Sequence, residues 1–600
     1  MAGKAFILHY LHSSHPHACV SFRWVYCQLD YLGKCVPARI RQALDELPTT
    51  LDETYERTLQ EIPDTNWELA RRLLQCVAVV SHPLRVEELA EFLAFDFEAG
   101  QIPKYREDWR QEDPVHAVLS TCSTLLALVN VDDDCPPVIQ FSHFTVKEFL
   151  TSARFANKYN TISHRYNISM TPAHTLVAQA CLGILLYLDQ NANRDSLAKF
   201  PLAKYAAKHW VEHARFEGVS QNVDEGMKQL FDRRKSHLAV WLWIYDPTLP
   251  LWKRGTLANG PLSPRGKPLH YASFCGLHDV VKLSAIEHPK DVNSPSFDQG
   301  STPLDLASQE GHLETARLLV QHGADARAQT ESGETPLHWA SYRGHVEVAR
   351  LLVEHGADLG AQTKLVGTPL HWASYRGHVE VARLLVEHSA DVGAQNTSGE
   401  TPLHQASSLG HFALARLLVE HSADVEAQTK SGETPLYQAS RRGHVEVVRL
   451  LVEHGADVDA RAQTEFGETP LHQASEGGHV EVARLLVGHS ADVGAQNTSG
   501  VTPLHQASSL GHFALARLLV GHGADVGAQT KFGETPLHRA SEWGHVEVAR
   551  LLVEHGADVG AQNTSGVTAL HQASGYGHVE LARLLVEHSA NSATQSIQEI

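Results

Sequence analysis

The stretch TPLHWASYRGHVEVARLLVEHGADLGAQTK, Thr335 to Lys364, decides the architecture of this chain. Thr335 is suited to capping a helix, and Pro336 fits the first helical position, where no backbone N–H is needed. Leu337 and Ala340 then face inward, the small Ala340 allowing paired helices to approach. Gly344 ends this first helix. A second helix, His345 to His355, sets Val348, Leu351 and Leu352 on one face by i, i+3, i+4 spacing. Gly356 supplies the left-handed residue that closes it. The residues from Ala357 to the next Thr-Pro-Leu form a projecting hairpin. A single unit of this kind leaves an apolar face bare, and only stacking covers it.

The unit recurs. Thr-Pro-Leu or a variant starts at Thr302, Thr335, Thr368, Thr401, Thr434, Thr469, Thr502, Thr535 and Thr568. Every step is 33 residues except one of 35, with two extra residues around Ala460 and Arg461. A degenerate start lies at Lys267-Pro268-Leu269-His270. Such a period marks a solenoid. The period and the T-P-L-H-x-A core resemble the ankyrin repeat over a little over half of the chain. The resemblance implies a mainly α fold: a C-terminal solenoid of helix-turn-helix plus β-hairpin units. About nine full repeats and one degenerate repeat are expected over residues 265–592, with 593–600 as a tail.

Departures from the motif carry information. Ser389, Ser422, Ser490 and Ser589 stand where other repeats close with Gly, and a left-handed Ser costs on the order of 1 kcal/mol relative to Gly. The hairpin carries Thr429-type or Asn396-type residues in place of the family's usual Asp. Ala569 replaces Pro in the last repeat, which has no distinct polar capping character. Thr401 to Val419 and Thr502 to Val520 are identical, as expected of recent tandem duplication.

In ankyrin proteins the hairpin tips and exposed first-helix residues form a concave binding face. The resemblance places a protein ligand there, on the three free positions of TPLHxAxxxGH. Trp339, Tyr342 and Arg343 repeat one rung later as Trp372, Tyr375 and Arg376. Arg441, Arg442, Arg539, Trp543 and Tyr576 occupy the same positions further on. Trp, Tyr and Arg are the side chains most enriched at interface hot spots, and the arginines can take carboxylates. The recurrent histidines read as structural: no Cys or carboxylate cluster supplies a metal coordination set.

The first 260 residues read as mostly helical: Ile40–Leu47, Leu51–Ile62, Trp67–Val80, Val86–Phe95, a short strand Val138–Phe141, a helix from Thr145, then Thr175–Leu188, Leu202–Phe216 and Val223–Phe231, closed by Trp241 and Trp243. The runs FRWVYCQLDYLGKC (Phe22–Cys35), LPTTLDETYERTLQEIP (Leu47–Pro63), LLQCVAVVSHPLRVEELAEFLAFDF (Leu73–Phe97), FSHFTVKEFL (Phe141–Leu150) and FPLAKYAAKHWVEHARFEGV (Phe200–Val219) resemble fungal NACHT-type signalling NTPases. That resemblance implies a poorly defined N-terminus over 1–21, the helical end of a NACHT-like module over 22–63, a winged-helix-like domain over 64–155 and a helical connector over 156–262. It makes His143 the counterpart of a nucleotide sensor. Yet no GxxxxGK[ST] segment is present to hold phosphates, so the chain reads as truncated before its phosphate-binding loop and His143 as vestigial or as a helix-start residue. The run Asp132-Asp133-Asp134 reads as a solvated turn.

Composition narrows the function classes. The net charge of −19 is concentrated from Thr302 onward, where it reaches −16; that argues against a nucleic-acid partner. The longest apolar run, Leu176–Leu188, is interrupted by Gln179 and falls short of the ~18 residues that span a bilayer. Eight cysteines without a CxxC pair suit buried thiols in a reducing compartment. No GxSxG or HExxH motif appears. The expectation is a cytoplasmic protein-interaction module without cofactor or catalysis, the recognition part of an NLR-like receptor or adaptor. The alternative is the C-terminal part of a nucleotide-switched NACHT receptor.

Overall fold

The computed structural model describes residues 50–122, 125–130, 136–158, 160–249, 260–296, 300–460 and 467–598. The helix expected at 40–47, the run Phe22–Cys35, the acidic turn at Asp132–Asp134 and the extra Arg461 lie outside these residues. The chain divides into two units, Met1–Asp291 and Val292–Ile600.

In the first unit, Thr50 opens α1 (Leu51–Gln60). Its hydroxyl accepts from the Glu53 N–H (3.2 Å) while the Glu53 carboxylate accepts from the Thr50 N–H (3.3 Å), a reciprocal cap. α2 (Trp67–Val79) and α3 (Val86–Ala90) follow. The helix expected to run on to Phe95 stops at Ala90. A 3-10 turn, Glu91–Ala94, leads into β1 (Phe95–Asp96), which pairs antiparallel with β2 (Lys104–Tyr105). Within this turn the buried Glu91 carboxylate accepts from the Tyr105 hydroxyl (3.1 Å) and the Leu202 N–H (2.8 Å). α4 (Pro114–Cys122) precedes an antiparallel ribbon of β3 (Leu126–Val129) and β4 (Val138–Phe141), with Leu126 opposite Phe141. Helices followed by such a ribbon make a winged-helix domain, closed by α5 (Phe144–Thr151).

The rest of the unit is helical: α6 (Ala153–Ala156), α7 (Thr161–Tyr166), α8 (Met170–Tyr187), α9 (Arg194–Ala198), α10 (Leu202–Ala214), α11 (Ser220–Leu230) and α12 (His237–Ile244). α8 is 18 residues long and apolar enough to pass for a membrane span. It packs instead against α2, α10 and α11, burying Val177, Cys181, Leu182, Ile184 and Leu185. Gly183 lets α8 lie against the β1–β2 segment: a Cβ there would lie 2.9 Å from both the Phe95 ring and the Pro103 carbonyl. Trp241 closes the core edge-on to Trp210 (5.3 Å), its indole N–H donating to the Ala207 carbonyl (2.8 Å). The degenerate repeat, α13 (Pro268–Phe274) and α14 (His278–Glu287), belongs to this unit. Its end is held by Asp291, which Lys267 (2.6 Å) and Arg233 both meet.

The second unit is a stack of helix pairs. First helices run from Pro303–Gln309 and Pro336–Arg343 through to Ala569–Gly575, and second helices from Leu313–Gln321 to Val579–Gln598. Each first helix packs on its own partner and on the first helices of neighbouring rungs. Leu337, Ala340, Val348, Ala349, Leu351 and Leu352 are all buried, as are most of their equivalents in other rungs; Leu318, Leu485, Leu570 and Ala582 are half-buried.

Between rungs the hairpin is a closed turn. The Thr330 N–H reaches the Glu334 carbonyl (2.9 Å), and tips are tied across rungs, as by Lys364 N–H to the Ser332 carbonyl (2.9 Å). Thr429 and Asn396 do the work of the usual Asp. The Thr429 hydroxyl accepts from the Glu433 N–H (3.1 Å), and the Asn396 side-chain carbonyl from Ser398 (2.9 Å) and Glu400 (3.0 Å). Ser389, Ser422 and Ser490 adopt φ of 68°, 65° and 69°, as the motif predicts. Ser589 does not: it sits within the helix Val579–Gln598, its hydroxyl donating to the Leu585 carbonyl (2.9 Å). Ala590-Asn591-Ser592-Ala593 follows it, without the Ala-Asp-Val that makes the turn after Ser490.

Candidate protein-binding face

Rungs are registered by two histidines, and the face follows from that register. In the first helix, His338 Nδ1 accepts from the Thr335 N–H (3.1 Å) and hydroxyl (2.9 Å), so Nε2 carries the proton and donates to the Gly367 carbonyl of the next hairpin (3.1 Å). Burial pushes this imidazole down to about 4; it is neutral in the fold. His371, His404, His472, His505 and His538 repeat the contact.

The second histidine points the other way along the stack. His378 Nε2 donates to the Tyr342 carbonyl of the preceding rung (3.0 Å). Its ring lies against Gly344, where an added Cβ would sit 2.6 Å from Nδ1. Gly344 is therefore required twice, for its left-handed φ of 77° and for the imidazole stacked on it. Third-position histidines such as His355 cap their own helix through the Leu351 carbonyl (2.8 Å).

Two rungs depart from the first pattern. Asp305 stands where His338 stands in its rung. One oxygen accepts from the Thr302 N–H (2.7 Å) and hydroxyl (2.8 Å), while the other, Oδ1, is buried without a partner. Burial raises this carboxyl to about 7. Tyr437 takes the position in the rung that is 35 residues long.

The three free first-helix positions are not equally free. Because first helices stack side by side, the first of the three faces the neighbouring helix. Trp372 is only 8% exposed. Its ring is enclosed by those of Trp339 (5.4 Å), Tyr342 (5.3 Å) and His338 (5.6 Å), all edge-on. The expectation that Trp372 contacts a partner is corrected: it is a wedge between rungs. Trp339 is half-buried by the same packing. Gln405, Gln438 and Gln473 are buried at the equivalent position. Arg539 is also engaged, bridging Glu534 (2.8 Å) and Glu542 (3.2 Å).

The second and third positions form the accessible face. Arg343, Tyr375, Arg376, Arg441 and Arg442 are exposed, with Tyr342 half-buried beneath Arg376, whose guanidinium lies 4.8 Å over the ring. Further along stand Leu510, Trp543 (60% exposed) and Tyr576 (64%). The face thus has a cationic, aromatic segment and an apolar one, a division that the sequence reading did not draw.

In the first unit, His143 caps α5: Nδ1 accepts from the Thr145 N–H (3.3 Å) and pairs with the Thr145 hydroxyl (2.7 Å), which Tyr55 also meets (2.7 Å). The helix-start role is what its geometry displays. A buried pair missed in the sequence joins α8 to α10: His174 and His213 meet through their Nδ1 atoms (2.9 Å), with the Tyr205 hydroxyl on His213 Nε2 (3.0 Å). Four residues to one side, His209 meets Glu212.

These features agree with what the chain is similar to. The family profile described as ankyrin repeats (3 copies) matches residues 269–363, 325–396, 370–462, 458–530 and 522–596 in overlapping copies, more than half of the chain. A second profile, the GPI inositol-deacylase winged helix domain, matches residues 55–161. The "Azaphilone pigments biosynthesis cluster protein L" of Monascus ruber is 30% identical over 300 residues, covering 47% of this chain and 61% of that protein. Ankyrin repeat domain-containing protein 13B of Homo sapiens is 48% identical over 76 residues, 12% of each chain. Alpha-latrocrustotoxin-Lt1a of Latrodectus tredecimguttatus is 37% identical over 62 residues, 10% of this chain and 4% of the toxin. The chain therefore spans less than two thirds of the length of each of these relatives.

Proposed function

Because the chain belongs to the ankyrin-repeat family, we propose that it is a cytoplasmic recognition protein whose array captures a protein ligand on the first-helix face. In this reading the winged-helix unit docks or relays the captured partner, as in an NLR-like receptor or adaptor. Ankyrin arrays are protein-interaction modules, and that coarse role needs no further support. The single observation behind the finer reading is the exposed Arg343, Tyr375, Arg376, Arg441 and Arg442 row on an otherwise uniform framework. Interface hot spots favour these residue types.

No catalytic role or cofactor is assigned. The winged-helix match concerns a fold and brings no hydrolase reaction with it. The test is paired capture from cells of the source organism. Full-length parent, a Tyr375→Ala/Arg376→Ala face variant and an Arg350→Ala/Arg383→Ala outer-helix variant serve as baits. The face variant is expected to lose the proteins that the other two retain; equal retention by all three would refute the assignment.

The winged-helix match at 55–161 favours a second reading, in which this chain is the C-terminal part of a nucleotide-switched NACHT receptor. Under it His143 is a sensor remnant. Titration calorimetry with ATP and ADP tests the first reading against it: micromolar affinity of the purified chain would overturn the adaptor without nucleotide chemistry.

A further inference from the structure

We propose that the Arg343, Arg376, Arg441 and Arg442 row holds an extended, carboxylate-bearing segment of a partner protein. The proposal rests on the first-helix face being the binding face and names the chemistry that it recognises. All four arginines are exposed, and among the described residues none has a carboxylate within salt-bridge distance. Several arginines on the second helices differ, although among the described residues Arg517 and Arg550 are also without such a pair. Arg350 reaches Glu347 (3.7 Å), Arg383 reaches Glu380 (3.7 Å) and Arg449 reaches Glu446 (3.9 Å). On the first-helix face itself, Arg539 is already spanned by two glutamates. The row is thus a line of uncompensated positive charge on an array that is otherwise acidic.

Two glutamates stand near the end of the row. Glu476, exposed at the second position of the next rung, is about one helix-packing distance, ~10 Å, from Arg441, and its carboxylate accepts from Gln473 (3.4 Å). Glu433 precedes its first helix, eight residues before Arg441, which at 1.5 Å per residue is about 12 Å away. Its carboxylate is engaged by Gln438 (3.3 Å). A diffuse acidic background repels acidic ligands, so attraction here has to be local and geometric. Arg376 is already oriented by the Tyr342 ring, and a planar guanidinium held in place favours bidentate carboxylate contact.

Spacing defines the ligand further. Packed helices lie about 10 Å apart, and an extended chain advances about 3.3 Å per residue. One rung therefore corresponds to about three ligand residues. The rung between Arg376 and Arg441 presents Leu409, 42% exposed, at the third position. The segment that fits carries acidic, acidic, apolar and acidic residues at successive third positions.

Fluorescence anisotropy tests this with the full chain and a labelled ten-residue peptide, Glu-Ser-Ser-Glu-Ser-Ser-Leu-Ser-Ser-Glu, together with its reversed sequence. A version with Lys for each Glu and a single-stranded RNA of ten nucleotides serve as competitors. One of the two Glu peptides is expected to bind at low salt. Arg376→Glu/Arg442→Glu is expected to weaken it by about tenfold or more and to gain affinity for the Lys peptide. That charge swap keeps the result interpretable even if the variant is less stable. Equal binding of Glu and Lys peptides by the parent, an unchanged affinity in the variant, or tighter binding of RNA would overturn the proposal. If no Glu peptide binds while the face variant still loses its captured proteins, only the carboxylate chemistry falls and the face stands.

Discussion

Single residues in this array occupy conformations that their neighbours in the motif dictate. Ser389 and Ser490 are held left-handed at φ 68° and 69°, where Gly carries no Cβ penalty. Ser389→Gly and Ser490→Gly should each stabilise the array by up to about 1 kcal/mol, read as a shifted midpoint in urea. Ser589→Gly should do the opposite by a similar amount, because there the residue is helical. A common sign for all three would contradict the account. The left-handed serines were legible in the sequence, since register alone identifies them. Ser589 shares the register, but the residues after it continue a helix.

Asp305 makes a second prediction at this scale. Its folded pKa is raised to about 7 by burial, above the unfolded value of about 3.9. The folded state therefore holds the extra proton between those values, and stability is lost as pH rises through about 7. Asp305→Asn, which removes the titrating group, should gain stability relative to the parent between pH 5 and pH 8. Denaturation curves at both values would show this; an equal or reversed difference would contradict the role given to the buried carboxyl.

Helices explain both what the sequence revealed and what it hid. The inward Leu, Ala and Val positions follow from 3.6-residue periodicity and needed no structure. Trp372 was misplaced because periodicity describes one helix, whereas a first helix in this stack has neighbours on both sides. A face that is solvent-exposed on a lone helix pair becomes an inter-rung seam. The same seams bury a column of serines, Ser341, Ser374, Ser407, Ser440, Ser475, Ser508 and Ser541, whose hydroxyls find no partner. An unsatisfied buried hydroxyl costs about 1–3 kcal/mol. Ser374→Ala and Ser475→Ala should each raise the unfolding midpoint, and a lowered midpoint in both would show that the hydroxyls are satisfied.

For the whole molecule, buried neutral histidines set the response to acid. In the array, His338 and His505 are pushed to about 4 by burial. In the first unit, burial and the neighbouring His174 bring His213 to about 4. Each folded value lies below the unfolded value of about 6.5. The stability these groups supply is complete above about 6.5 and is lost as pH falls toward 4, at up to about 1.4 kcal/mol per pH unit for each histidine. Both units should therefore loosen over the same acid window. His213→Phe should remove part of this dependence from the first unit, and a pH profile identical to the parent would contradict that. The histidine pair was not legible because His174 and His213 meet only when α8 and α10 pack. The repeating histidines were legible as structural, although their direction along the stack, one forward and one back, was not.

The central claim is that a partner lies along the first helices and not on the outer second helices. Cross-linking mass spectrometry of the full chain with the protein it captures tests this most directly. Cross-links and protection should centre on the first helices bearing Tyr342–Arg343, Tyr375–Arg376 and Arg441–Arg442, leaving Val346–Glu354 and Val379–Glu387 unchanged. Protection confined to those second helices, with the arginine row still accessible in the complex, would contradict the account.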